Sequence, residues 1–277
     1  MLKIIITGAA GRMGRRLVAN IALDNDLQLV EATEYPGSEF IGQDAGSVAG
    51  VGELNVPILE DMDIALNNAD VIVDFSTGNV LNNVKLAVEH GIGIVIGTTA
   101  LTEQDLEEIN ALALQGGRIV LSTNYSVGVN LLFYLSELTA RILPDDFDIE
   151  VIEAHHNKKK DAPSGTAMTL AQILCASRKL SIDEDLRHGR VGIVGARTTQ
   201  EIGVHSIRGG DIVGDHTVMF ASEGERIELI HRASSRDTFA RGALRAARFI
   251  ADVQEGGRIF SMQDVLAEML AAAAEEA

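Results

Sequence analysis

Two short stretches of this 277-residue chain combine residue types that can do chemistry. The first is EAHHNKKKDAPSGTA, residues 153–167, which joins two histidines, three lysines and a Ser-Gly-Thr turn. Histidine transfers protons near neutral pH, and lysine can bind a carboxylate or protonate a developing nitrogen. The second is GAAGRMG, residues 8–14, a glycine loop of the kind that binds a dinucleotide. Together they predict proton transfer beside a nucleotide cofactor.

The paired histidines come at the end of a strand-like run. His155 and His156 should point to opposite faces of that strand, which predicts different roles and disfavours a paired metal site. No second histidine or cysteine cluster lies nearby, so we predict no metal. Ser164 is typical of a helix N-cap, which would leave the N–H groups of Gly165 and Thr166 available to an anion. The alternative is a solvated lysine run before an ordinary cap.

The glycine loop lies between a β-branched run and a helical pattern. Gly8 would permit the tight turn, Gly11 the close approach of a pyrophosphate, and Gly14 close packing of helix on strand. Ala10 occupies the position of the second glycine in the simple fingerprint. Glu34 ends the next predicted strand, where a carboxylate can accept hydrogen bonds from ribose hydroxyls and favours NAD over NADP. The alternative for Glu34 is a solvated strand end.

Two further polar segments follow predicted strands. They are GTT at 97–99 and STNYSVGVN at 122–130. Ligands of open α/β sheets bind along the carboxyl ends of the strands, so both segments are candidate cofactor contacts. Ordinary turn chemistry is the alternative for each.

The elements that must position these residues change in character along the chain. Strand-like runs alternate with helical patterns up to residue 127, which predicts a parallel sheet covered on both faces. Beyond it come a strand, a helix and, from 190 to 233, a β-rich pattern with glycine turns. We therefore predict an α/β protein with two domains, a Rossmann-type dinucleotide-binding domain at 1–127 and a smaller mixed α+β domain for substrate and oligomerisation at 128–235. Helices within 236–277 should return to the first domain.

Composition narrows the classes of function. The chain has 23 basic and 40 acidic side chains, a net charge of −17, which disfavours general binding to nucleic acid or anionic membranes. The single cysteine, Cys175, lies in an apolar helical pattern that favours a buried, inert thiol. The N-terminus has no signal-peptide pattern, and no apolar run reaches the length of a membrane span. The residues thus predict a cytoplasmic nicotinamide oxidoreductase with a small carboxylated substrate, without naming that substrate.

The motifs together carry a more specific resemblance. With EAHHNKKKDAPSGTA, GAAGRMG, VIVDFS, GTT, NYSVGVN, GDIVGDHTVMF and HRASSRDTFARGA, the chain resembles the 4-hydroxy-tetrahydrodipicolinate reductase family, in family order and over nearly its whole length. The resemblance implies reduction of a cyclic dicarboxylate, 4-hydroxy-tetrahydrodipicolinate, to tetrahydrodipicolinate by NAD(P)H, in the diaminopimelate route to lysine. It also implies a homotetramer held together through the second domain.

The resemblance implies a role for each matching residue. His155 would be the proton donor and Lys159 the second catalytic residue, while His156, Gly165 and Thr166 would bind the substrate carboxylates. The cofactor would contact Gly8, Ala9, Ala10, Gly11, Arg12, Met13, Glu34, Gly97, Thr98, Thr99, Ser122, Thr123, Asn124 and Tyr125.

The chain also departs from the family pattern. Lys158 and Lys160 make the basic run denser than expected, so the choice of Lys159 rests on spacing within the motif. Tyr35 stands where family members that use NADPH readily often have arginine, which favours NADH and leaves NADPH as the second option. Two other functions stay open. One is another Rossmann dehydrogenase of an amino-acid pathway, such as an aspartate or homoserine dehydrogenase relative, and the other is a non-catalytic nicotinamide-nucleotide sensor.

The basic run also predicts an effect on the proposed proton donor. Neighbouring lysines should lower the pKa of His155 in the empty site, because like charges disfavour the protonated form. A bound dicarboxylate would offset that effect.

Overall fold

A computed structural model of the protein describes residues 1–62, 69–98 and 101–275. The chain divides into two compact units, Met1–Val127 with Arg236–Ala277, and Gly128–Ser235. In chain order the elements are β1 (Leu2–Thr7), α1 (Arg12–Ala22), β2 (Leu27–Thr33), α2 (Ala45–Ala49), β3 (Ile58–Leu59), β4 (Val71–Asp74), α3 (Val80–Glu89), β5 (Gly93–Ile96), α4 (Glu103–Leu114), β6 (Ile119–Leu121), α5 (Val127–Ile142), β7 (Asp148–His155), α6 (Gly165–Arg178), α7 (Ile182–Asp185), β8 (Leu186–His188), β9 (Ile202–Arg208), β10 (Gly214–Ser222), β11 (Glu225–Ala233), α8 (Asp237–Asp252), β12 (Ile259–Phe260) and α9 (Met262–Glu275).

The first unit contains a parallel sheet. Its strand order is β12-β6-β5-β4-β1-β2-β3, and its strand pairs are parallel. Ile4, Ile5 and Ile6 of β1 are all fully buried, as expected for a strand covered on both faces. The chain runs from β1 to β2 on one side and returns at β4 on the other, so the sheet has its topological switch point beside the glycine loop. The predicted Rossmann-type sheet is confirmed.

Helices cover both faces of this sheet. On one face Leu17 of α1 and Ile250 of α8 pack with Ile4 and Ile6 in one core. On the other face the described residues form a second core in which Val84 of α3 and Ile109 of α4 pack against the strands. Because the strands are parallel, the carboxyl ends of β1, β2, β5 and β6 lie along one edge of the sheet.

The second unit contains a mixed sheet. Its order is β11-β10-β7-β9-β8; β7 and β9 are parallel, while β10 is antiparallel to both β7 and β11. We call the face that packs against α6 the inner face. It carries Val151 and Val204, which pack in one hydrophobic core with Leu170 and Cys175 of α6. Cys175 is buried, and burial raises the pKa of its thiol to about 11. The predicted mixed second domain is confirmed.

The β-rich pattern begins later than the sequence suggests. Residues 189–201 form neither helix nor strand, although they include the apolar run Val-Gly-Ile-Val. Gly189, Gly192 and Gly195 all have positive φ angles, which a strand does not accommodate. Within the described residues, no helix has the length and apolar character required to cross a bilayer.

Candidate active site

The second unit places several predicted residues on the inner face of its sheet. His155 is the last residue of β7, and Glu153 lies two positions earlier on the same face because side chains alternate along a strand. The strand register sets Arg208 of β9 opposite His155, and His216 of β10 opposite Glu153. These four side chains, which we call the inner-face group, therefore meet at one end of the sheet, next to the first turn of α6.

Glu153 is the centre of this group. It is fully buried and accepts hydrogen bonds from both terminal nitrogens of Arg208, each at 2.8 Å, and from the backbone N–H of Ser164 at 3.1 Å. His155 Nδ1 lies 2.6 Å from Glu153 Oε2. Burial alone would raise the pKa of Glu153, but the hydrogen bonds from Arg208 and His155 outweigh it and hold the pKa near 2. Glu153 is thus a carboxylate at any neutral pH.

The imidazole of His155 is a weaker base than a free histidine. Burial is the main cause of its lowered pKa; Glu153 opposes the shift, and the positive charges of Lys159 and Arg208 add to it. The sequence-based expectation named lysine as the cause, and the structure assigns the larger part to burial. His216, whose ring centroid lies 5.3 Å from that of His155, is buried and has a pKa of about 4, mainly because of that burial.

The three lysines differ in their surroundings. Lys158 and Lys160 are exposed, whereas the side chain of Lys159 is only 21% exposed. Its Nζ lies 2.8 Å from a carboxylate oxygen of Asp161, and this hydrogen bond lowers the pKa of Asp161. Lys159 is therefore the lysine held in place by the fold.

The helix that follows begins where the sequence predicts. Ser164 is the N-cap of α6, and its hydroxyl accepts a hydrogen bond from the backbone N–H of Ala167 at 3.2 Å. Gly165 and Thr166 form the first turn of the helix. His156 lies just beyond β7, and its Nδ1 is buried without a hydrogen-bond partner among the described residues.

In the first unit the glycine loop is closely packed. Gly8 has a φ of +66°, and a Cβ on Gly14 would lie 2.1 Å from the carbonyl oxygen of Gly8. Helix α1 begins at Arg12 with Gly11 as N-cap, and no side chain caps it within the described part of the chain. Such a helix start offers N–H groups and a positive dipole to an anion. Of the adjoining residues, Arg12 is exposed, while Ala9 is buried.

Glu34 lies directly beyond β2 and contacts the glycine loop. Its Oε2 accepts a hydrogen bond from the backbone N–H of Ala10 at 2.9 Å, and its Oε1 accepts one from the N–H of Tyr35 at 3.2 Å. A groove of about 550 Å³ is lined by Gly8, Glu34, Tyr35 and Thr77, among others. The glycine cradle, the uncapped helix start and this groove fit a dinucleotide.

The remaining predicted cofactor residues follow β5 and β6. A Cβ on Gly97 would lie 2.2 Å from the ring of Phe75, so only glycine fits beneath that ring. Thr98 follows Gly97, and Thr99 lies outside the described residues. Met13 is partly buried against the core beneath the glycine loop.

The segment after β6 is internally bonded. The hydroxyl of Ser122 donates to the carbonyl oxygen of Asn124 at 3.0 Å, and Thr123 is exposed. Tyr125 is buried, and its hydroxyl donates to the carbonyl oxygen of Ile96 at 2.6 Å. The same hydroxyl lies 3.3 Å from the carbonyl oxygen of Val120 in β6, so Tyr125 links β5 and β6 from within the core.

Three members of the inner-face group were not predicted from the sequence, namely Glu153, Arg208 and His216. Glu153 had a signal, because it lies two positions before His155 on the same strand. Arg208 and His216 had none, since only the pairing of β7 with β9 and β10 brings them to the site. Among the described residues, no group of three His, Cys, Asp or Glu side chains is placed to hold a metal ion.

Comparisons with known proteins agree along the chain. The family model described as "Dihydrodipicolinate reductase, N-terminus" matches residues 2–125, and "Dihydrodipicolinate reductase, C-terminus" matches 128–266. Proteins named 4-hydroxy-tetrahydrodipicolinate reductase from Syntrophotalea carbinolica and Methanobrevibacter smithii are each 47% identical, over 96% of this chain and 99% of the relative. A dipicolinate-bound dihydrodipicolinate reductase from Paenisporosarcina sp. TG-14 has the same fold, with a TM-score of 0.75 at 24% identity, covering 95% of this chain and 99% of that one.

Proposed function

The chain belongs to the dihydrodipicolinate reductase family, and we propose that it reduces 4-hydroxy-tetrahydrodipicolinate to tetrahydrodipicolinate with a nicotinamide cofactor, in the diaminopimelate route to lysine. The observation that carries the proposal is the inner-face group, in which a buried carboxylate holds a histidine beside a partly buried lysine and a helix N-terminus. Neither a sister dehydrogenase nor a nucleotide sensor accounts for that group.

His155 and Lys159 are the catalytic residues in this proposal. The bound nicotinamide supplies the hydride. His155 supplies the proton, since its imidazolium is a stronger acid than that of a free histidine. The negative charge of the bound dicarboxylate favours this protonated form. Lys159 stabilises negative charge on the substrate during the transfer.

The substrate is a dicarboxylate, and the site offers two kinds of group to it. Lys159 provides a positive charge, and the first turn of α6, with Gly165 and Thr166, provides a helix N-terminus. The buried Nδ1 of His156 is a further polar atom able to bind a carboxylate. We therefore assign the substrate carboxylates to His156, Gly165 and Thr166.

The cofactor residues are proposed as a set. They are Gly8 to Met13, Glu34, Gly97 to Thr99 and Ser122 to Tyr125. Glu34 sets the preference for NADH, because a carboxylate in the groove binds ribose hydroxyls and repels a 2′-phosphate. The test is kcat/KM with each cofactor, for the native chain and for Glu34→Gln. We expect NADH to be favoured and the substitution to narrow the ratio; equal efficiencies in the native chain would refute the preference.

We also propose a homotetramer assembled through the second unit, working in the cytoplasm, where NADH and small amino-acid precursors are found. Apolar side chains exposed on strands of the second unit support the assembly, among them Ile207 on β9 and Ile227 and Ile230 on β11. Light scattering on the purified protein measures the mass directly. A monomer at working concentration would contradict the assembly.

The first experiment is a turnover assay. The proposed substrate, 4-hydroxy-tetrahydrodipicolinate, is freshly made by a synthase from pyruvate and aspartate semialdehyde. This synthase product is added to the native chain and to His155→Ala, and the loss of NADH absorbance is followed. His205→Ala, which removes a histidine from the opposite face of the same sheet, is the matched control. Rapid oxidation by the native chain and the control, but not by His155→Ala, supports the reaction and the site. A folded chain that binds NADH without oxidising it would favour the sensor or sister dehydrogenase.

A further inference from the structure

The buried carboxylate beside the proton donor has a role of its own. We propose that Glu153 is a positioning residue that fixes His155 with its hydrogen on Nδ1, so that Nε2 is the atom that carries the transferred proton, and that Arg208 holds Glu153 in place for this purpose. The inference deepens the proposed function, because it rests on His155 as the proton donor.

The hydrogen bonds of Glu153 leave its carboxylate no freedom to turn. Oε1 accepts from the Ser164 N–H at 3.1 Å and from Arg208 at 2.8 Å. Oε2 accepts from the other terminal nitrogen of Arg208 at 2.8 Å and contacts His155 Nδ1 at 2.6 Å. A paired fork of this kind fixes both the distance and the plane of the carboxylate. The imidazole is thus bonded to a group held from two other elements, β9 and the start of α6.

The contact between Glu153 and His155 determines the tautomer. An ionised carboxylate can only accept a hydrogen bond, so the hydrogen between the two groups belongs to Nδ1 of His155. In the neutral imidazole Nε2 then carries the lone pair, and it is the nitrogen that gains and loses the proton. The side chain of His155 is 12% exposed, so the ring keeps a route to solvent or substrate.

Arg208 extends the arrangement to the lysine turn. Besides Glu153, one of its terminal nitrogens donates to the carbonyl oxygen of Asp161 at 2.7 Å. Asp161 in turn is ion-paired with Lys159. One guanidinium therefore fixes the carboxylate behind His155 and the backbone beside Lys159, which places both proposed catalytic residues in relation to each other.

The charged and titratable groups around His155 come from several elements. Among the described residues, Glu153 faces it from its own strand, Arg208 from β9, His216 from β10 and Lys159 from the turn after β7. His231 of β11 lies opposite His216. Glu153 is the negative charge in direct contact with the ring and raises its pKa, whereas Lys159 and Arg208 lower it. Removal of the Glu153 charge must therefore lower the pKa of His155 further.

The tautomer can be measured in the unaltered protein. Nitrogen-15 NMR correlates the ring nitrogens with the ring protons, and the signals of His155 are identified by their loss in His155→Gln. At a pH where His155 is neutral, we expect a protonated Nδ1 and an unprotonated Nε2. The opposite tautomer would overturn the inference. The tautomer is read in the native protein, and the His155→Gln variant serves only to assign the signals.

The second test uses the pH profile of kcat/KM, which reports groups of the free enzyme. His155 donates only when protonated, so activity falls as pH rises through its pKa. Glu153→Gln should reduce kcat/KM by roughly 10²-fold and move this alkaline limb to lower pH by about one unit. A variant that merely distorted the fold would lower activity without moving the limb.

The matched control is Glu150→Gln. Glu150 is a buried carboxylate on the same strand, bonded to arginines and a histidine on the opposite face. The Glu150→Gln variant should leave the alkaline limb of the pH profile in place. Circular dichroism and light scattering confirm the fold and the mass of both variants. An unmoved limb in Glu153→Gln, or the same movement in Glu150→Gln, would overturn the inference. Failure of the native chain to turn over the synthase product would instead refute the proposed function, while the NMR measurement would still decide the tautomer.

Discussion

Strand β7 carries two buried glutamates on opposite faces, and each is bonded to arginine and histidine. On the inner face, Glu153 binds Arg208 and His155. On the outer face, the face turned away from α6, Glu150 binds Arg190 and His205. We call these the Glu153 cluster and the Glu150 cluster, the former including Ser164 and the latter including Arg197. By residue type alone the two are nearly interchangeable.

The electrostatics of the two carboxylates are also alike. Burial would raise the pKa of Glu150, but its hydrogen bonds from Arg190, His205 and Arg197 lower it to about 2, the same value as for Glu153. A strongly lowered pKa therefore does not by itself identify a functional carboxylate in this protein. Ion-pair networks shift pKa values as well as active sites do.

What differs is the neighbourhood of each histidine. His155 contacts its glutamate through Nδ1 and is 12% exposed, whereas His205 contacts Glu150 through Nε2 and is 31% exposed. The inner face adds Lys159 and the N-terminus of α6. On the outer face both arginines belong to residues 189–201, so the Glu150 cluster anchors that segment to the sheet. We therefore expect chemistry at one face and anchoring at the other, because the surroundings of these similar groups differ.

Substitution of the two histidines in turn should give the largest difference in activity between the two faces. His155→Ala should lower kcat by roughly 10³-fold, the scale of general acid catalysis, because no other group in the Glu153 cluster can supply the proton at that point. His205→Ala should change kcat by less than about twofold, since its ring lies on the other face. Steady-state oxidation of NADH measures both. Comparable losses in the two variants would end the functional distinction between the faces.

Acid should destabilise the inner face before it affects the glutamates. The pKa of His216 is about 4 in the folded protein, lowered by burial from an ordinary 6.5, so the unfolded chain binds more protons between these values. The contribution of His216 to the free energy of unfolding is therefore fully present above pH 6.5. It is lost as the pH falls toward 4, by about 3 kcal/mol in total. Both glutamates, with pKa values near 2, lose their contribution only below about pH 4.5.

Urea unfolding at a series of pH values measures this loss. His216→Gln retains a side chain able to bond to Ser164 but does not titrate, so its free energy of unfolding should vary much less between pH 6.5 and 4. The control is His188→Gln, which replaces an exposed histidine of β8 and should keep the native pH dependence. An equally steep dependence in His216→Gln would assign the loss to another group.

Among the lysines, the effect should be confined to one position. Lys159→Ala should lower kcat by roughly 10²-fold if the lysine acts in the transition state, whereas exposed Lys160→Ala should leave kcat close to native. The KM for the dicarboxylate is determined in the same assays. A loss confined to KM in Lys159→Ala would make this lysine a substrate anchor.

The two faces can also be disturbed through neighbouring glycines. A Cβ on Gly203 would lie 1.7 Å from Glu150 Oε2, so Gly203→Ala should destabilise the fold by about 1–3 kcal/mol with kcat nearly unchanged. A Cβ on Gly214 would lie 3.1 Å from His155 Nε2, so Gly214→Ala should cost less stability and reduce activity more. The stability of the two variants is measured by thermal unfolding, and their activity by turnover of the same samples. The reverse ranking would show that the faces are not independent.

Local patterns predicted much of this molecule. Strand β1 could be predicted because its apolar β-branched residues fit a sheet covered on both faces. The start of α6 could be predicted from Ser164, because an N-cap is a local feature of the sequence. Residues 189–201 failed as strand because their glycines adopt positive φ angles. The bond from Arg208 to Glu153 could not be predicted, since the two residues are 55 positions apart and meet only through the pairing of β7 with β9.

The second unit is inserted within the first, and this has a consequence for synthesis. Strand β12 pairs with β6, and α8 supplies Ala243, Leu244 and Ile250 to the core beside β1. These segments leave the ribosome only after all of Gly128–Ser235. Most strands of the parallel sheet of the first unit therefore emerge first, but they lack the covering helix α8 until the inserted unit has been synthesised. A chain truncated after residue 235 would expose an apolar sheet face, which makes premature termination here a route to aggregation.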